Sequence, residues 1–294
     1  MTTPEARNGT GTPHRSVSTT DSGNEPALRS DSARRRGSVV FTVVGILGEL
    51  LITVGVFVFM FLGWQLWLND IIVGNSQRDD ALALSQSFSG HRKPASSGSP
   101  SVRPTPSAVD PSPSAASTPP AVFGEPVVSV EPAETKKFAT IYVPRFGADY
   151  VRTIAEGVSA ANVLKTGVGH YPGTQMPGEV GNFALAGHRT TYGAPFHQIN
   201  TLQVGDKIYV QTTDGWYTYV FRSLEYVPPN GIGVLDPVPQ STGVTATSRL
   251  LTMTSCNPLL SAAERIIAYS VFDSWQPTSA GPPGAIKSLA DKQA

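Results

Sequence analysis

The sequence lacks a second cysteine, an excess of either charge, and any basic stretch interleaved with aromatic residues. Its 294 residues include 22 basic and 22 acidic side chains, so the formal net charge is zero. This balance gives no electrostatic basis for binding nucleic acid. A single cysteine excludes an intrachain disulfide, and a lone thiol outside the cytoplasm is either paired with another chain or reactive. Whether Cys256 is expected to be reactive therefore depends on whether it lies inside or outside the cytoplasm.

A long apolar run lies near the N-terminus. Residues 39–62 are apolar apart from Glu49, and a helix rising about 1.5 Å per residue crosses a bilayer core at this length. A buried helix of a soluble protein is the alternative, but such a helix rarely runs this far without a polar face. Glu49 is either protonated in the bilayer or part of a helix–helix contact. We predict a single-pass anchor in the lipid bilayer.

The charges on either side of this run indicate its orientation. Arg34, Arg35 and Arg36 precede it, and Asp70 follows it. The positive-inside rule therefore places the N-terminus in the cytoplasm and the rest of the chain outside the cell. No small-residue cleavage site follows the run directly, which favours an uncleaved anchor over a signal peptide.

The composition divides the remaining chain into four segments. Residues 1–38 are poor in large apolar side chains, which predicts a disordered cytoplasmic tail. Residues 63–134 are assigned to a juxtamembrane segment and a linker rich in Pro, Ser and Ala, which acts as a semi-extended spacer. Residues 135–276 form the folded domain, and residues 277–294 are predicted to be a flexible C-terminal tail.

The folded domain has the pattern of an all-β protein. Short runs such as FATIYV, DKIYVQT and RIIAYSVF are rich in β-branched and aromatic residues and are bounded by turn residues. Helical patterning is limited to a turn or two near residues 159–164 and 195–199. The spacing of the runs predicts either a closed β-barrel or a sandwich, large enough for a core of its own.

Cys256 ends the apolar run SRLLTMTSC and is followed by Asn257 and Pro258, which stop the strand. A nucleophile at the end of a strand is held by its backbone and still reached by solvent. The alternative is a buried and inert structural cysteine, which is the commoner case for a cysteine in general. A reactive thiol needs a basic partner, because the thiolate is the nucleophile.

Three histidines in the folded domain are candidates for that partner. His188 follows the apolar run NFALAG, so it lies at the end of a strand as Cys256 does. His197 lies in a short helical stretch and is interpreted as a packing residue, whereas His170 in GVGHYPGT remains ambiguous. The histidines and Cys256 lack the short paired spacings of zinc motifs. We therefore predict no metal site and no other cofactor.

Arg265 opens the apolar run RIIAYSVF, nine residues after Cys256. If the connecting loop turns the chain back, its guanidinium lies beside the thiol and stabilises the oxyanion of a tetrahedral intermediate. The alternative is a surface ion pair with Glu264, which would contribute little.

Together these motifs resemble the sortase family, the cell-wall transpeptidases of Gram-positive bacteria. The resemblance rests on GVGHYPGTQMPGEVGNFALAGHR at residues 167–189, on LLTMTSC ending at Cys256, and on Arg265, and it covers residues 137–275. It implies an eight-stranded β-barrel with short helices. It also implies Cys256 as the nucleophile, His188 as the general acid/base, and Arg265 as the ligand of the oxyanion and the substrate carbonyl.

The segment HRTTYGAPF resembles the class E branch of the family. That resemblance implies that Tyr192 contacts the second residue of an LAXTG-type sorting motif, the counterpart of LPXTG, and that Thr254 and Ser255 contact substrate. Ser255 departs from the family, which usually has threonine there, and this puts the fine fit of the substrate in doubt. The implied partners are C-terminal sorting signals, cleaved between Thr and Gly, and a cell-wall precursor amine of the lipid II type.

Two other functions stay open at this point. A secreted cysteine hydrolase would form the same acyl-enzyme and release it with water, although the C-G-S-C-W signature of papain-type enzymes and the S-H-G-C signature of L,D-transpeptidases are absent. A non-catalytic, tethered β-barrel that binds wall ligands would leave Cys256 inert.

Overall fold

The computed structural model describes residues 31–64, 69–90 and 123–291. Residues 1–30 of the predicted cytoplasmic tail and residues 91–122 of the predicted linker lie outside these ranges. Helix α1 runs from Asp31 to Gly63. Its stretch Val39–Gly63 has the length and composition of a membrane span and buries no side chain, as expected of the apolar run.

A second helix, α2, runs from Asn69 to Gly90, in the segment that the sequence assigned to the juxtamembrane region and linker. Its buried residues recur at helical spacing and face β1 and β2 of the barrel. They are Gly74, Gln77, Ala81, Ser85 and Phe88. Most of them are small or polar, which is why the apolar periodicity of the sequence did not reveal this helix.

Eight strands form a closed barrel in the order β1-β2-β3-β4-β7-β8-β6-β5. This confirms the eight-stranded barrel and excludes the sandwich. The pairs β2–β3 and β4–β7 are parallel, and the other pairs are antiparallel. The strands are β1 Lys137–Tyr142, β2 Val151–Glu156, β3 Val168–His170, β4 Gly181–Ala186, β5 Lys207–Gln211, β6 Gly215–Val227, β7 Arg249–Asn257 and β8 Glu264–Pro277.

Within residues 123–291 the helical elements are short. They consist of the 3₁₀ turns Pro144–Phe146, Ile199–Thr201, Ile232–Leu235, Thr278–Ala280 and Gly284–Ile286, and of helix α3, Lys287–Asp291. The segment after Pro277, predicted to be a flexible tail, buries Ile286 in a cluster with Tyr142 and Trp216.

The two faces of β7 have different surroundings. Leu251 and Met253 point into the barrel core, so Thr252 between them lies on the outer face. On that face Thr252 Oγ1 donates to Asn182 Oδ1 at 2.7 Å. Asn182 Nδ2 in turn donates to the carbonyl oxygen of Val234, 3.0 Å away, in the long β6–β7 connection. This connection therefore covers part of the outer face of β4 and β7.

His170, left ambiguous by the sequence, is hydrogen-bonded to a buried carboxyl group. Its Nδ1 lies 2.6 Å from Glu156 Oε2, and both side chains are almost fully buried. Its Nε2 lies 2.9 Å from Thr174 Oγ1, and its ring packs against Phe138 and Phe183. Burial raises the pKa of Glu156, and the neighbouring His170 opposes that rise. Since both ring nitrogens have internal partners, His170 has a structural role.

We expect His170→Ala to destabilise the barrel, because it leaves a buried carboxyl group without its partner. A loss of about 3 kcal/mol, typical of breaking a buried pair, corresponds to a fall in Tm of about 6–12 °C for a domain of this size. Thermal unfolding of the full chain in detergent measures it. The double variant Glu156→Gln/His170→Ala should recover part of the loss, and an unchanged Tm in the single variant would contradict the structural role.

Candidate active site

The pairing of β4 with β7 brings His188 towards Cys256. The two strands are parallel and in register, with Ala186 opposite Thr254. The ladder continues beyond β4, because the N–H of Gly187 donates to the carbonyl oxygen of Thr254 at 3.1 Å. Ser255 Oγ donates back to the carbonyl oxygen of Gly187 at 2.7 Å. The register therefore carries His188, the next residue, to the level of Cys256.

Arg265 lies on the other side of Cys256. The antiparallel strands β7 and β8 pair these two residues directly opposite each other, so their side chains lie on the same face with Cβ atoms about 5 Å apart. Arg265 Nη1 donates to the carbonyl oxygens of Ala262 and Glu264, each at 3.0 Å. The carboxylate of Glu264 instead accepts a hydrogen bond from Asn257 at 3.0 Å. The guanidinium is thus held at the loop that joins the two strands.

The side chain of Cys256 is partly exposed, which argues against a buried, inert cysteine. The imidazole of His188 is half-buried, and its Nε2 has no hydrogen-bond partner within the part of the chain that the structure describes. Burial lowers the pKa of His188, and the negative charge of Asp70 opposes this. Nε2 is itself covered by neighbouring atoms and has a free position for a hydrogen bond, which a general acid/base needs towards a reacting group.

Arg189 is a site residue that the sequence analysis missed. Its guanidinium is buried and donates through Nη1 to the carbonyl oxygen of Cys256 at 3.3 Å and to Asn257 Oδ1 at 2.8 Å. Burial lowers the pKa of Arg189, and the nearby Cys256 and Tyr226 oppose this. Arg189 therefore ties the strand end that carries Cys256 to the loop that carries His188. In the sequence, the position of Arg189 directly after His188 is the feature that could have marked it as a site residue.

His197, interpreted from the sequence as a packing residue, is exposed and supports Arg189. Its Nδ1 donates to the carbonyl oxygen of Arg189 at 2.9 Å. Its own carbonyl oxygen accepts a hydrogen bond from Arg189 Nε at 3.1 Å. These two bonds close the loop that follows His188.

Thr254 and Ser255, implied as substrate contacts, are both buried. The hydroxyl of Thr254 is hydrogen-bonded to Tyr171 Oη at 2.9 Å, and that of Ser255 to Gly187. A serine at position 255 therefore supplies the hydroxyl that this backbone contact requires. Contact of either residue with substrate stays a prediction.

Tyr192 is exposed beside His188, with its ring centre 5.0 Å from that of His188. The ammonium group of Lys165 lies 5.5 Å from the centre of the Tyr192 ring. A cavity of about 560 Å³ adjoins the loops that follow His188 and Cys256, and its walls include Asp70, Gly193 and Leu259. No group of three or more His, Cys, Asp or Glu side chains that could hold a metal ion occurs in residues 31–64, 69–90 and 123–291.

The chain is similar to characterised proteins along most of its length. A family model of the Sortase domain matches residues 141–272. Sortase SrtE1 of Streptomyces coelicolor is 33% identical over 270 residues, which cover 89% of this chain but only 66% of that protein. Sortase SrtE2 of the same organism is 26% identical over 237 residues, covering 80% and 84% of the two chains. The solved structure of SrtA sortase from Actinomyces oris is 34% identical with a TM-score of 0.53, covering 56% of this chain and 94% of that one.

We expect Asp70→Asn to lower the pKa of His188, because it removes the negative charge that stabilises the imidazolium. NMR titration of the His188 ring measures this in a Cys256→Ala background, which avoids the coupled titration of the thiol. Asp149→Asn is the matched control, since Asp149 lines the same cavity but is paired with Arg78. An unchanged or raised pKa in the Asp70 variant would remove Asp70 from the electrostatics of the site.

Proposed function

The chain belongs to the sortase family of cysteine transpeptidases and has class E relatives, and on that premise we propose that it sorts proteins to the cell wall. It cleaves a C-terminal signal of the LAXTG or LPXTG type between Thr and Gly, and it transfers the protein to a cell-wall amine. The observation that carries this proposal is the strand register that places Cys256 between His188 and Arg265.

The first half-reaction forms a thioester. The thiolate of Cys256 attacks the carbonyl carbon of the motif threonine, and the carbonyl oxygen becomes an oxyanion. The Arg265 guanidinium, directly opposite Cys256, stabilises that negative charge. His188 as imidazolium gives its proton to the departing glycine amine, and the C–N bond breaks.

The second half-reaction reverses these roles. The amine of a lipid II-type wall precursor attacks the thioester while neutral His188 takes up its proton. The tetrahedral intermediate collapses to an amide and releases the thiolate of Cys256. The free energy of the cleaved amide is kept in the thioester, so the exchange needs neither ATP nor a metal ion. Nε2 of His188 has no hydrogen-bond partner among the residues that the structure describes, which supports both proton transfers.

Arg189 and Tyr192 take supporting parts in this proposal. The hydrogen bond from Arg189 to the backbone of Cys256 positions the nucleophile. Tyr192, exposed beside His188, contacts the second residue of the motif and contributes to the choice between alanine and proline. Thr254 and Ser255 contact the same substrate through the backbone of β7.

The anchor determines where this chemistry takes place. Residues 39–62 hold the chain in the cell membrane, with the N-terminus in the cytoplasm and the catalytic domain outside. The apolar composition of Val39–Gly63 supports the anchoring, and the three arginines before the span support the orientation. The membrane-borne acceptor and the emerging sorting signal are both available on that side.

We expect the full chain in detergent to transfer an LAXTG or LPXTG peptide to an added amine such as oligoglycine or a diaminopimelate derivative. Mass spectrometry detects cleavage after Thr and the mass of the adduct, and Cys256→Ala should abolish both. Hydrolysis without transfer would indicate a cysteine hydrolase. No cleavage, together with a thiol that does not react with alkylating reagents, would indicate a binding barrel.

We expect Arg265→Lys to lower kcat/KM by about 100-fold, because a point charge does not reproduce the planar guanidinium fork beside the oxyanion. Steady-state kinetics with the preferred peptide measure the change. Arg222→Lys, the same exchange at an exposed site on β6, is the control and should leave kcat/KM unchanged. Near-normal turnover of the Arg265 variant would exclude Arg265 from the mechanism.

A further inference from the structure

The loop that follows His188 has an unfavourable backbone conformation. Tyr192, Gly193 and Ala194 have φ angles of 53°, 72° and 41°, so three consecutive residues lie in the left-handed region. Glycine adopts this region freely, but residues with a Cβ atom do so at a cost. Such a conformation persists where surrounding contacts determine it. The turn's own hydrogen bond, from the N–H of Ala194 to the carbonyl oxygen of Thr191 at 3.0 Å, is one of those contacts.

Helix α2 supplies the contacts from outside the loop. Gln77, which is buried, donates through Nε2 to the carbonyl oxygen of Tyr192 at 2.8 Å and to that of Lys165 at 3.1 Å. One side chain thus joins two loops, and these are the loops whose side chains form the cation–π contact over the Tyr192 ring. Because that ring lies against His188, Gln77 holds the backbone of a residue that contacts His188.

Two further contacts place the helix directly against Gly193. A Cβ atom built on Gly193 would lie 2.9 Å from both the nitrogen and the Cα of Gly74, so the two backbones meet with no room for a side chain. Asp70 in the first turn of α2 accepts a long hydrogen bond from the N–H of Gly193, at 3.4 Å. Residues 70, 74 and 77 therefore form one face of α2 that contacts the loop.

The other half of α2 docks independently of this loop. Ser85 Oγ donates to Gln211 Oε1 at 2.6 Å and accepts a hydrogen bond from Tyr142 Oη at 2.8 Å. All three side chains are buried between the helix and strands β1 and β5. The helix thus has polar contacts that attach it to the barrel away from this loop, among them those of Ser85, as well as the contacts of Gln77 that reach the loop after His188.

We propose that α2 is a clamp of the active site, in which Gln77 is a positioning residue that holds residues 190–195 in the conformation that presents Tyr192 beside His188. The inference rests on the proposed function for the roles of His188 and Tyr192. It extends the catalytic unit to α2, so a chain that begins at β1 would lack part of its active site.

The test compares Gln77→Met with Ser85→Ala in the full chain in detergent. Methionine has nearly the volume of glutamine and removes the two donated hydrogen bonds, while the buried Oε1 that it also removes has no hydrogen-bond partner in the described residues. We expect Gln77→Met to lower kcat/KM by about tenfold, as displacement of a positioned group does, and to reduce the discrimination between LAXTG and LPXTG peptides. Ser85→Ala should keep wild-type discrimination even where its Tm falls as much.

Hydrogen exchange of the loop gives a second readout that does not depend on turnover. In Gln77→Met the amides of residues 191–194 and 196 should exchange faster, while those of β7 and β8 stay protected as in the wild type. Ser85→Ala should leave the loop amides unchanged. Equal kinetics and equal loop protection in the two variants would overturn the clamp. A wild-type chain without transfer activity would instead overturn the proposed function, and the exchange data would still decide whether α2 holds the loop.

Discussion

Strand β7 is hydrogen-bonded on both sides, to β4 in parallel and to β8 in antiparallel orientation, and the active site depends on the register of these two ladders. A slip of one residue in either ladder would turn the side chains of the shifted strand to the opposite face of the sheet. Leu251 and Met253 resist such a slip, because it would exchange them with the threonines of the outer face. The packing of the barrel core therefore determines where Cys256 lies relative to His188 and Arg265.

Polar contacts refine what the register brings together. Buried Arg189 links the backbone of Cys256 to the loop after His188, so Cys256 and His188 are connected by more than the strand ladder. Burial lowers the pKa of the His188 imidazole, and the negative charge of Asp70 opposes this. The combination leaves a partly exposed thiol, an imidazole whose buried Nε2 has no hydrogen-bond partner among the described residues, and a guanidinium opposite the thiol. The proposed acyl transfer uses all three groups.

The parts that the sequence analysis did not anticipate have a common physical cause. The buried face of α2 consists mainly of glycine, alanine, serine and glutamine, so its burial depends on close backbone approach and on hydrogen bonds and leaves no apolar stripe to detect. The sequence did not identify Arg189 as a buried residue of the site, because its hydrogen-bond partners lie 8 to 68 residues away along the chain. Likewise, the sequence left His170 ambiguous because only the pairing of β2 with β3 brings its partner Glu156 opposite it.

The sequence by itself determined the apolar segment that precedes the domain, the all-β character of the domain, and the candidate residues at strand ends, Cys256, His188 and Arg265. Alternation of apolar residues, turn residues and the motifs around Cys256 and His188 are local features, and they can be read without knowing which strands pair. The tertiary structure alone decided the closure of the barrel over a sandwich, the docking of α2, and the roles of Arg189 and His170. Each of these depends on contacts between residues distant in the chain, whose energies come from burial and hydrogen bonding in three dimensions.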